Sequence, residues 1–457
     1  MYLLLTILAM LCGNISRSIP VSPGISVNYP SLSASLPVST PISIYTSLAS
    51  FLLCAIALVV PSGYSLGAVM LLLGSVVLLI KRPALGLNRQ DALVILAMAA
   101  YTLVGALEAW WDGQGMRGMD KPIRFLLAIP ALLLVMAYPP RLAWFWGGVA
   151  VGAMGAGGLA MWLKVIEGVV RPGGYNNAIQ FGNLSMLLGV LCLAALGWAV
   201  TQPHRHLWVA LFLVAALFGV AGSLLSGSRG GWIGIPFVLL VLLRAYAPLV
   251  LKRHSVGALV GVLLAGAAVY AVPEIGVQGR VHQGIEEVQR YVAGDRSFTS
   301  VGARFEMWRG ASYLIAEKPL VGWGSNGYAE AMQTLANEGV INERAARFGH
   351  AHNEFIDTFA KRGLIGLMVL LAVYLLPMRF FAKELGASDL SIRATATAGV
   401  LLPVTYIDFG LTQGFLSHNS GVMMYAFLLA VLWGIYSRQR KALAHGEYTS
   451  VNNTLHN

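Results

Sequence analysis

The chain has 457 residues, of which 57% are hydrophobic and only 11% are charged. Soluble globular proteins carry roughly 25% charged residues, so this composition excludes an ordinary soluble domain and predicts a polytopic helical membrane protein. The formal net charge of +11 would also suit a nucleic-acid-binding protein. However, the basic residues lie scattered between apolar runs, where membrane orientation and attraction to anionic lipid explain them.

Twelve apolar runs, most of them near the length of a membrane span, predict an all-α protein with about twelve transmembrane helices. Residues 1–44 precede the first span and include a Ser- and Pro-rich segment. We expect them to be a poorly ordered lead-in, or to follow a start codon upstream of the native one. The predicted spans lie at roughly 45–60, 64–80, 92–108, 122–138, 142–167, 176–200, 207–224, 232–251, 255–272, 363–382, 394–410 and 420–437.

Lysine and arginine set the orientation, because they collect in cytoplasmic loops. Placing the N-terminus in the cytoplasm gives every inside loop at least one basic residue, and it makes both termini cytoplasmic. The opposite orientation would put nearly every basic cluster outside. The expected divisions are a lead-in at 1–44, spans one to nine at 45–272, a non-cytoplasmic loop domain at 273–362, spans ten to twelve at 363–437 and a cytoplasmic tail at 438–457.

The large loop is expected to be a helical domain. Helical patterns cover 302–317 and 326–337, and the turn-rich segment "GWGSNGY" at 322–328 links them. In the first helix Arg304 and Trp308 are four residues apart and share one face. An arginine beside an aromatic ring can hold a phosphate and a sugar together, and it is equally a common packing arrangement.

Several cations lie on the non-cytoplasmic side, against the charge bias. Lys121 and Arg124 occur in "GMDKPIRF", Arg171 occurs in "VVRPGGYNN" and Arg229 occurs in "SGSRGGW". A long basic side chain at a helix end can snorkel to the headgroups at small cost. Arg229 fits this explanation least well, because glycines flank it and a span begins just after it, where free N–H groups favour an anion. We therefore predict an anionic, lipid-borne substrate, whose phosphate oxygens a guanidinium matches with two parallel hydrogen bonds.

A histidine pair precedes the tenth span in "FGHAHNEFIDTFAKRGLIGL" at 348–367. His352 and Asn353 stand at the start of the helix that continues into the membrane. His352 is either a cap or interfacial residue, or a general base, since a neutral imidazole can take a proton from a sugar hydroxyl. Glu354 or Asp357 is expected to orient its ring. His350 and His352 alternate as metal ligands on a strand do, but no third ligand is near and no acidic DxD pair exists, so no metal is predicted.

These segments resemble the signature of the bacterial O-antigen ligase and polymerase superfamily. "GSRGGW" entering a span, "GARFEMW" in a large loop, "GWGSNGY" and "HNEFIDTFAKRGLIGL" come in this order and spacing. "RPGGYNNAIQFGN" also resembles the family's segment between the fifth and sixth spans. The resemblance covers most of the chain from about residue 45. It implies a GT-C-like fold with a periplasmic domain between helices nine and ten.

The resemblance also implies an activity. A ligase of this kind is a membrane glycosyltransferase of lipopolysaccharide biosynthesis, which moves O-antigen from undecaprenyl diphosphate to the lipid A-core oligosaccharide on the periplasmic face of the inner membrane. It implies Arg229, Arg304 and His352 as catalytic residues, with His352 as the base of an inverting, metal-independent transfer without a cofactor. The predicted substrate-binding residues are Lys121, Arg124, Arg171, Trp308 and Asn353.

Three alternatives remain open from the sequence. An O-antigen polymerase differs only in its acceptor, a second lipid-diphosphate glycan. A protein O-oligosaccharyltransferase usually carries additional periplasmic mass, which this chain lacks. A lipid-linked glycan exporter would need a polar path across the bilayer, yet the charges within spans are few and lie near the span ends.

Overall fold

The computed structural model describes residues 41–228, 230–249, 270–271, 277–294 and 299–444. In this part of the chain every regular element is a helix, in agreement with the predicted all-α class. The helices are α1 (Pro41–Ala55), α2 (Gly63–Gly74), α3 (Val76–Lys81), α4 (Arg89–Trp111), α5 (Gly115–Met119), α6 (Ile123–Ala137), α7 (Leu142–Val165), α8 (Ala178–Ala199), α9 (Arg205–Ser226), α10 (Ile235–Tyr246), α11 (Val277–Val292), α12 (Ser300–Glu317), α13 (Ser325–Asn337), α14 (Glu343–Ala346), α15 (Glu354–Ala382), α16 (Leu390–Gly410) and α17 (Asn419–Ala444).

Eight helical segments among the described residues are long and apolar enough to cross a membrane. They are α2 together with α3, and α4, α7, α8, α9, α15, α16 and α17. Three shorter apolar helices, α1, α6 and α10 with the turn that follows it, accompany them. Each of these segments coincides with a predicted span, and the ninth predicted span, 255–272, lies almost wholly outside the described residues.

The centre of the bundle is α17, which is enclosed by other helices over its whole apolar stretch and packs against α6 and α16. Its interior carries tyrosines whose hydroxyls are paired. Tyr425 donates to the carbonyl of Val373 at 3.0 Å, and Tyr406 of α16 donates to that of Gly421 at 2.8 Å. Such a partner lowers the cost of burying a hydroxyl inside a membrane protein, because water is not available there.

The tenth predicted span starts at a kink inside α15. Gly363 has φ +62°, and it divides a polar first part of α15 from the apolar remainder. A Cβ at Gly363 would lie 2.2 Å from the carbonyl oxygen of Leu320, so only glycine admits this approach. The segment 319–324 runs along the kink, where Leu364 donates to the carbonyl of Pro319 at 2.8 Å. The loop domain is thus seated directly on α15.

The two helices predicted within the loop are confirmed as α12 and α13. A polar contact ties them to the bundle where α4 ends. The buried Glu108 carboxylate pairs with the Arg362 guanidinium of α15 and accepts from the Ser325 hydroxyl at 2.8 Å. The Asp112 carboxylate accepts from the backbone N–H of Asn326 at 2.7 Å at the start of α13. We call the contact of Glu108, Arg362 and Ser325 the clamp.

Candidate functional site

The candidate site lies at one end of the bundle, which we call the site end, where α4, α9 and α16 finish and α8, α15 and α17 begin. His352 stands one residue before the cap of α15. Asn353 is that cap, and its side-chain oxygen accepts from the N–H groups of Phe355 and Ile356 at 3.0 Å each. His352 itself has φ +48°, a left-handed conformation that a non-glycine residue adopts only when its surroundings impose it.

The imidazole of His352 pairs with a residue from the loop between α16 and α17. Its Nδ1 lies 2.7 Å from Oε1 of Gln413, which is buried. The amide nitrogen of Gln413 lies 2.9 Å from Nε2 of His418. The three side chains therefore form a hydrogen-bonded chain from α15 to the start of α17.

The expectation that Glu354 or Asp357 orients His352 is wrong for this ring nitrogen, because both carboxylates are engaged elsewhere. Glu354 accepts from the N–H groups of Phe415 and Leu416, at 2.5 and 3.0 Å, and so fixes the loop that carries Gln413. Asp357 turns back along α15 toward the segment before His352. Its carboxylate accepts from the N–H of Ala351 and from the Lys361 ammonium, both at 2.9 Å.

Arg304 and Trp308 approach the same segment from the loop domain. Thr299 caps α12, with its hydroxyl accepting from Gly302 at 3.0 Å, and the buried Ala303 and Met307 seat the helix. The indole of Trp308 donates to the carbonyl of Ala351 at 2.9 Å, immediately before His352. Arg304 is half-buried, and its charge acts on the His352 ring. The shared face predicted for Arg304 and Trp308 is therefore turned toward His352.

The histidines of the site are biased toward their neutral forms. Burial lowers the pKa of His352, the nearby charge of Arg304 lowers it further, and the Gln413 hydrogen bond opposes the shift. Burial also lowers the pKa of His418, assisted by Lys121 and His352. His350, whose ring centroid is 4.1 Å from that of His352, has its pKa lowered by burial and by His352. Neutral imidazoles can accept protons, which is what a general base requires.

Lys121 and Arg124 border the site across Asp120. Both cations pair with that carboxylate, and hydrogen bonding to Lys121 lowers the pKa of Asp120, although burial opposes the shift. Arg124 also reaches the backbone carbonyl of Asn419, at 3.3 Å, beside His418. The sequence predicted these cations on the same side as the other site residues, and in the structure both are paired with the Asp120 carboxylate.

Arg229 lies outside the described residues, but its neighbours are described. The Ser228 hydroxyl donates to Asn183 at 2.7 Å. A Cβ at Gly230 would lie 2.3 Å from Oγ1 of Thr412, next to Gln413, so glycine lets the chain pass against the loop that holds His352. Arg171 is exposed, and its Nε donates to the carbonyl of Ser226 at 3.4 Å.

Sequence reasoning missed Gln413 and His418. The only available signal was a polar segment, "TQGFLSHN", between two apolar helices. Within the described residues no group of three or more His, Cys, Asp or Glu side chains is arranged to hold a metal ion.

The fold and site define a polytopic membrane protein with a polar, histidine-centred site where its helices meet a loop domain. Residues 214–371, which contain Arg304, Trp308 and His352, match the O-antigen ligase family model. This match confirms the resemblance that the motifs carry.

Two related proteins match this chain beyond those residues. An uncharacterized protein of Haemophilus influenzae is 28% identical over 371 residues, covering 80% of this chain and 92% of that protein. An O-antigen ligase of Escherichia coli K12 is 25% identical over 222 residues, which is 48% of this chain and 51% of that protein. The family match and the named relative support a membrane glycan-transfer function.

Proposed function

We propose that this protein is an inverting, metal-independent glycosyltransferase that moves O-antigen polysaccharide from undecaprenyl diphosphate to the lipid A-core oligosaccharide. The observation that carries the proposal is the His352 ring inside the residues that match the O-antigen ligase family model. Its Nδ1 is held by Gln413, and α12 of the loop domain brings the charge of Arg304 close to it. A neutral imidazole that donates a hydrogen bond from Nδ1–H has its free acceptor at Nε2.

The reaction follows from these groups. Nε2 of His352 takes the proton of the acceptor hydroxyl, and the acceptor oxygen forms a bond to the anomeric carbon of the donor sugar. The bond from that carbon to the phosphate oxygen breaks, and its electron pair leaves with undecaprenyl diphosphate. A single displacement inverts the anomeric centre.

Arg304 and Arg229 are proposed to bind the diphosphate. Negative charge develops on this group as the glycosidic bond breaks, so a fixed guanidinium stabilises the transition state more than the ground state. The proposed role of Arg304 is supported by its position beside His352. The proposed role of Arg229 is supported by its neighbour Gly230, which packs against the loop carrying Gln413.

The other predicted binding residues surround this centre. Trp308 and Asn353 fix the backbone on either side of His352, so we assign them to sugar contact and to shaping the pocket. Lys121, Arg124 and Arg171 lie at the site end, where anionic headgroups of donor and acceptor would approach. Their proposed role is to attract and orient these lipids.

We further propose a twelve-span, GT-C-like arrangement in the bacterial inner membrane with the site facing the periplasm and both termini in the cytoplasm. The eight long apolar segments, the three shorter ones and the predicted span 255–272 supply the spans. The loop domain at 273–362 then covers the periplasmic end.

The test is a reconstituted transfer reaction. Purified protein in detergent is incubated with undecaprenyl-diphosphate-linked glycan and rough lipopolysaccharide, and the products are separated by gel. Glycan on lipopolysaccharide supports a ligase, whereas longer lipid-linked glycan alone would indicate a polymerase. Glycan on an added protein would indicate a protein O-oligosaccharyltransferase, and no transfer despite donor binding would favour an exporter.

His350 provides a matched control for His352, since it lies two residues away and its ring contacts that of His352. His352→Ala should reduce turnover by about 10²–10⁴-fold, the usual contribution of a general base, and should leave donor binding intact. His350→Ala should lose far less. Equal damage from both variants, or donor binding lost in His352→Ala, would assign His352 a structural or donor-binding role.

A further inference from the structure

The loop of residues 411–418 is held rigidly against the start of α15. The amide of Asn353 donates to the carbonyl of Leu411 at 3.2 Å, and the Glu354 carboxylate accepts from two backbone N–H groups of the loop. Gln413 stands between these anchors with its side chain buried. Its amide is therefore presented to His352 from a fixed backbone.

The direction of that amide decides which tautomer His352 adopts. A glutamine amide has an acceptor at Oε1 and donors at Nε2. With Oε1 at 2.7 Å from Nδ1 of His352, that nitrogen must carry the proton, and Nε2 is left as the acceptor. A reversed amide would donate to Nδ1 instead, and a neutral ring would then carry its proton on Nε2 and could not act as a base there.

The contact with His418 distinguishes the two directions. Nε2 of His418 lies 2.9 Å from the amide nitrogen of Gln413, and it accepts there when His418 is neutral and carries its proton on Nδ1. A His418 that carries a proton on Nε2, either as the imidazolium or as the other neutral tautomer, donates from that nitrogen. It would require Oε1 of Gln413 on its own side and would reverse the amide.

We propose that Gln413 is a positioning residue that selects the Nδ1–H tautomer of His352, and that the Nδ1–H tautomer of neutral His418 fixes the direction of the Gln413 amide. This inference rests on the proposed role of His352 as the base. It assigns two residues from outside the matched domain, 214–371, to the function of its histidine.

The charges around the chain favour the productive arrangement. Arg304 and Lys121, from α12 and from the turn before α6, oppose protonation of His352 and His418, respectively. His350 and Lys361 also face the cluster, while Asp357 favours the protonated form of His352. Burial, assisted by these two cations, thus lowers the pKa of both histidines and favours their neutral forms.

The first test compares variants of Gln413 in the transfer reaction over a pH series. Gln413→Leu should lower kcat about 10- to 100-fold with little change in the KM for either lipid, as for outer-shell partners of other functional histidines. Gln413→Glu keeps an acceptor for Nδ1 but adds a negative charge, which favours the imidazolium. This variant should remain active at high pH, with its acid limb displaced to higher pH.

The second test uses His418. His418→Gln offers an oxygen that can accept from Gln413, so it should retain most of the activity. His418→Lys can only donate, so it should reverse the amide and lower kcat more than His418→Gln does. Gln114→Leu is the matched control, because Gln114 bonds to Glu108 and Asp112 at the site end and should keep the wild-type pH profile.

The outcomes separate this inference from the proposed function. If His352→Ala is inactive while Gln413→Leu keeps the wild-type kcat, or Gln413→Glu keeps the wild-type acid limb, the positioning role is overturned and the base survives. If His352→Ala remains active, the positioning role of Gln413 and the proposed role of His352 as the base fail together. Should Gln413→Leu not yield monodisperse protein, the pH profile of the near-isosteric Gln413→Glu still decides.

Discussion

The clamp should behave as one energetic unit, and removing half of it should cost more than removing all of it. The side chain of Glu108 is only 2% exposed and that of Arg362 is 19% exposed. Glu108→Leu leaves a largely buried guanidinium without its carboxylate, and Arg362→Leu leaves a buried carboxylate without its guanidinium. The double variant leaves neither charge.

The structure sets the size of these effects. Breaking a buried ion pair by removing one partner costs about 3–5 kcal/mol. We expect the loss of stability in Glu108→Leu to lie near the lower end of this range, since Arg362 keeps a cation–π contact with Tyr101, whose ring centroid is 5.7 Å away. In the double variant the remaining cost is the loss of the two hydrogen bonds that Ser325 and Gln114 donate to Glu108. At about 1 kcal/mol each, the double variant should cost about 2 kcal/mol.

Equilibrium unfolding of the purified protein in mixed detergent micelles, followed by tryptophan fluorescence, measures all three variants. The control is the pair of Arg440 with Glu384 near the opposite end of the bundle, where the side chains are 39% and 26% exposed. Glu384→Gln should cost less than about 1 kcal/mol. Strictly additive losses from the two clamp substitutions would refute the account, because no coupling between the charges would then exist.

Three further predictions concern the chemistry. Arg304→Lys should recover little of the roughly 10²–10³-fold loss expected for Arg304→Ala, because an ammonium lacks the planar fork, and initial transfer rates test this. A near-wild-type rate for Arg304→Lys or Arg229→Lys would contradict bidentate diphosphate binding. Transfer should persist in excess EDTA, since arginines rather than a metal ion are proposed to stabilise the diphosphate. Activity that is lost on chelation and restored by magnesium or manganese would contradict this proposal. Because burial and Arg304 lower the pKa of His352, the neutral base should persist below pH 6.5, so an acid limb of kcat above about 6.5 would count against it.

The apolar pattern predicted the positions of the described apolar helices, because membrane thickness would constrain the length of each one independently. The start of α15 at Asn353 was also expected, but the apolar pattern could not predict the kink inside this helix. Its first part lies before Gly363, and the kink there packs against the segment 319–324, which is 39 to 44 residues earlier in the chain. A glycine within "KRGLIGL" gives no local sign of that contact.

The residues of the candidate site also fall into those that the sequence predicted and those that it missed. Helical spacing paired Arg304 with Trp308, and the family resemblance of the ordered motifs joined Arg304 to His352. Gln413 and His418 were not predicted, since their partnership with His352 exists only after α15 and α16 pack against each other. The neighbouring carboxylates of Glu354 and Asp357 looked like the natural partners in sequence, but helix geometry turns both away from Nδ1.

The position of His352 is determined by three separate elements that converge on a short stretch of chain. The loop 411–418 holds Glu354, α12 holds Ala351 through Trp308, and α4 holds Arg362 through the clamp. A base contributes to catalysis only if it stays in productive geometry without reorganising during the reaction, and supporting contacts on several sides provide that rigidity. The left-handed backbone of His352 fits this picture, because a conformation of that kind persists only where the surroundings over-determine it. Loosening the clamp should therefore lower kcat even though Glu108 and Arg362 hold the loop domain and are given no part in the chemistry.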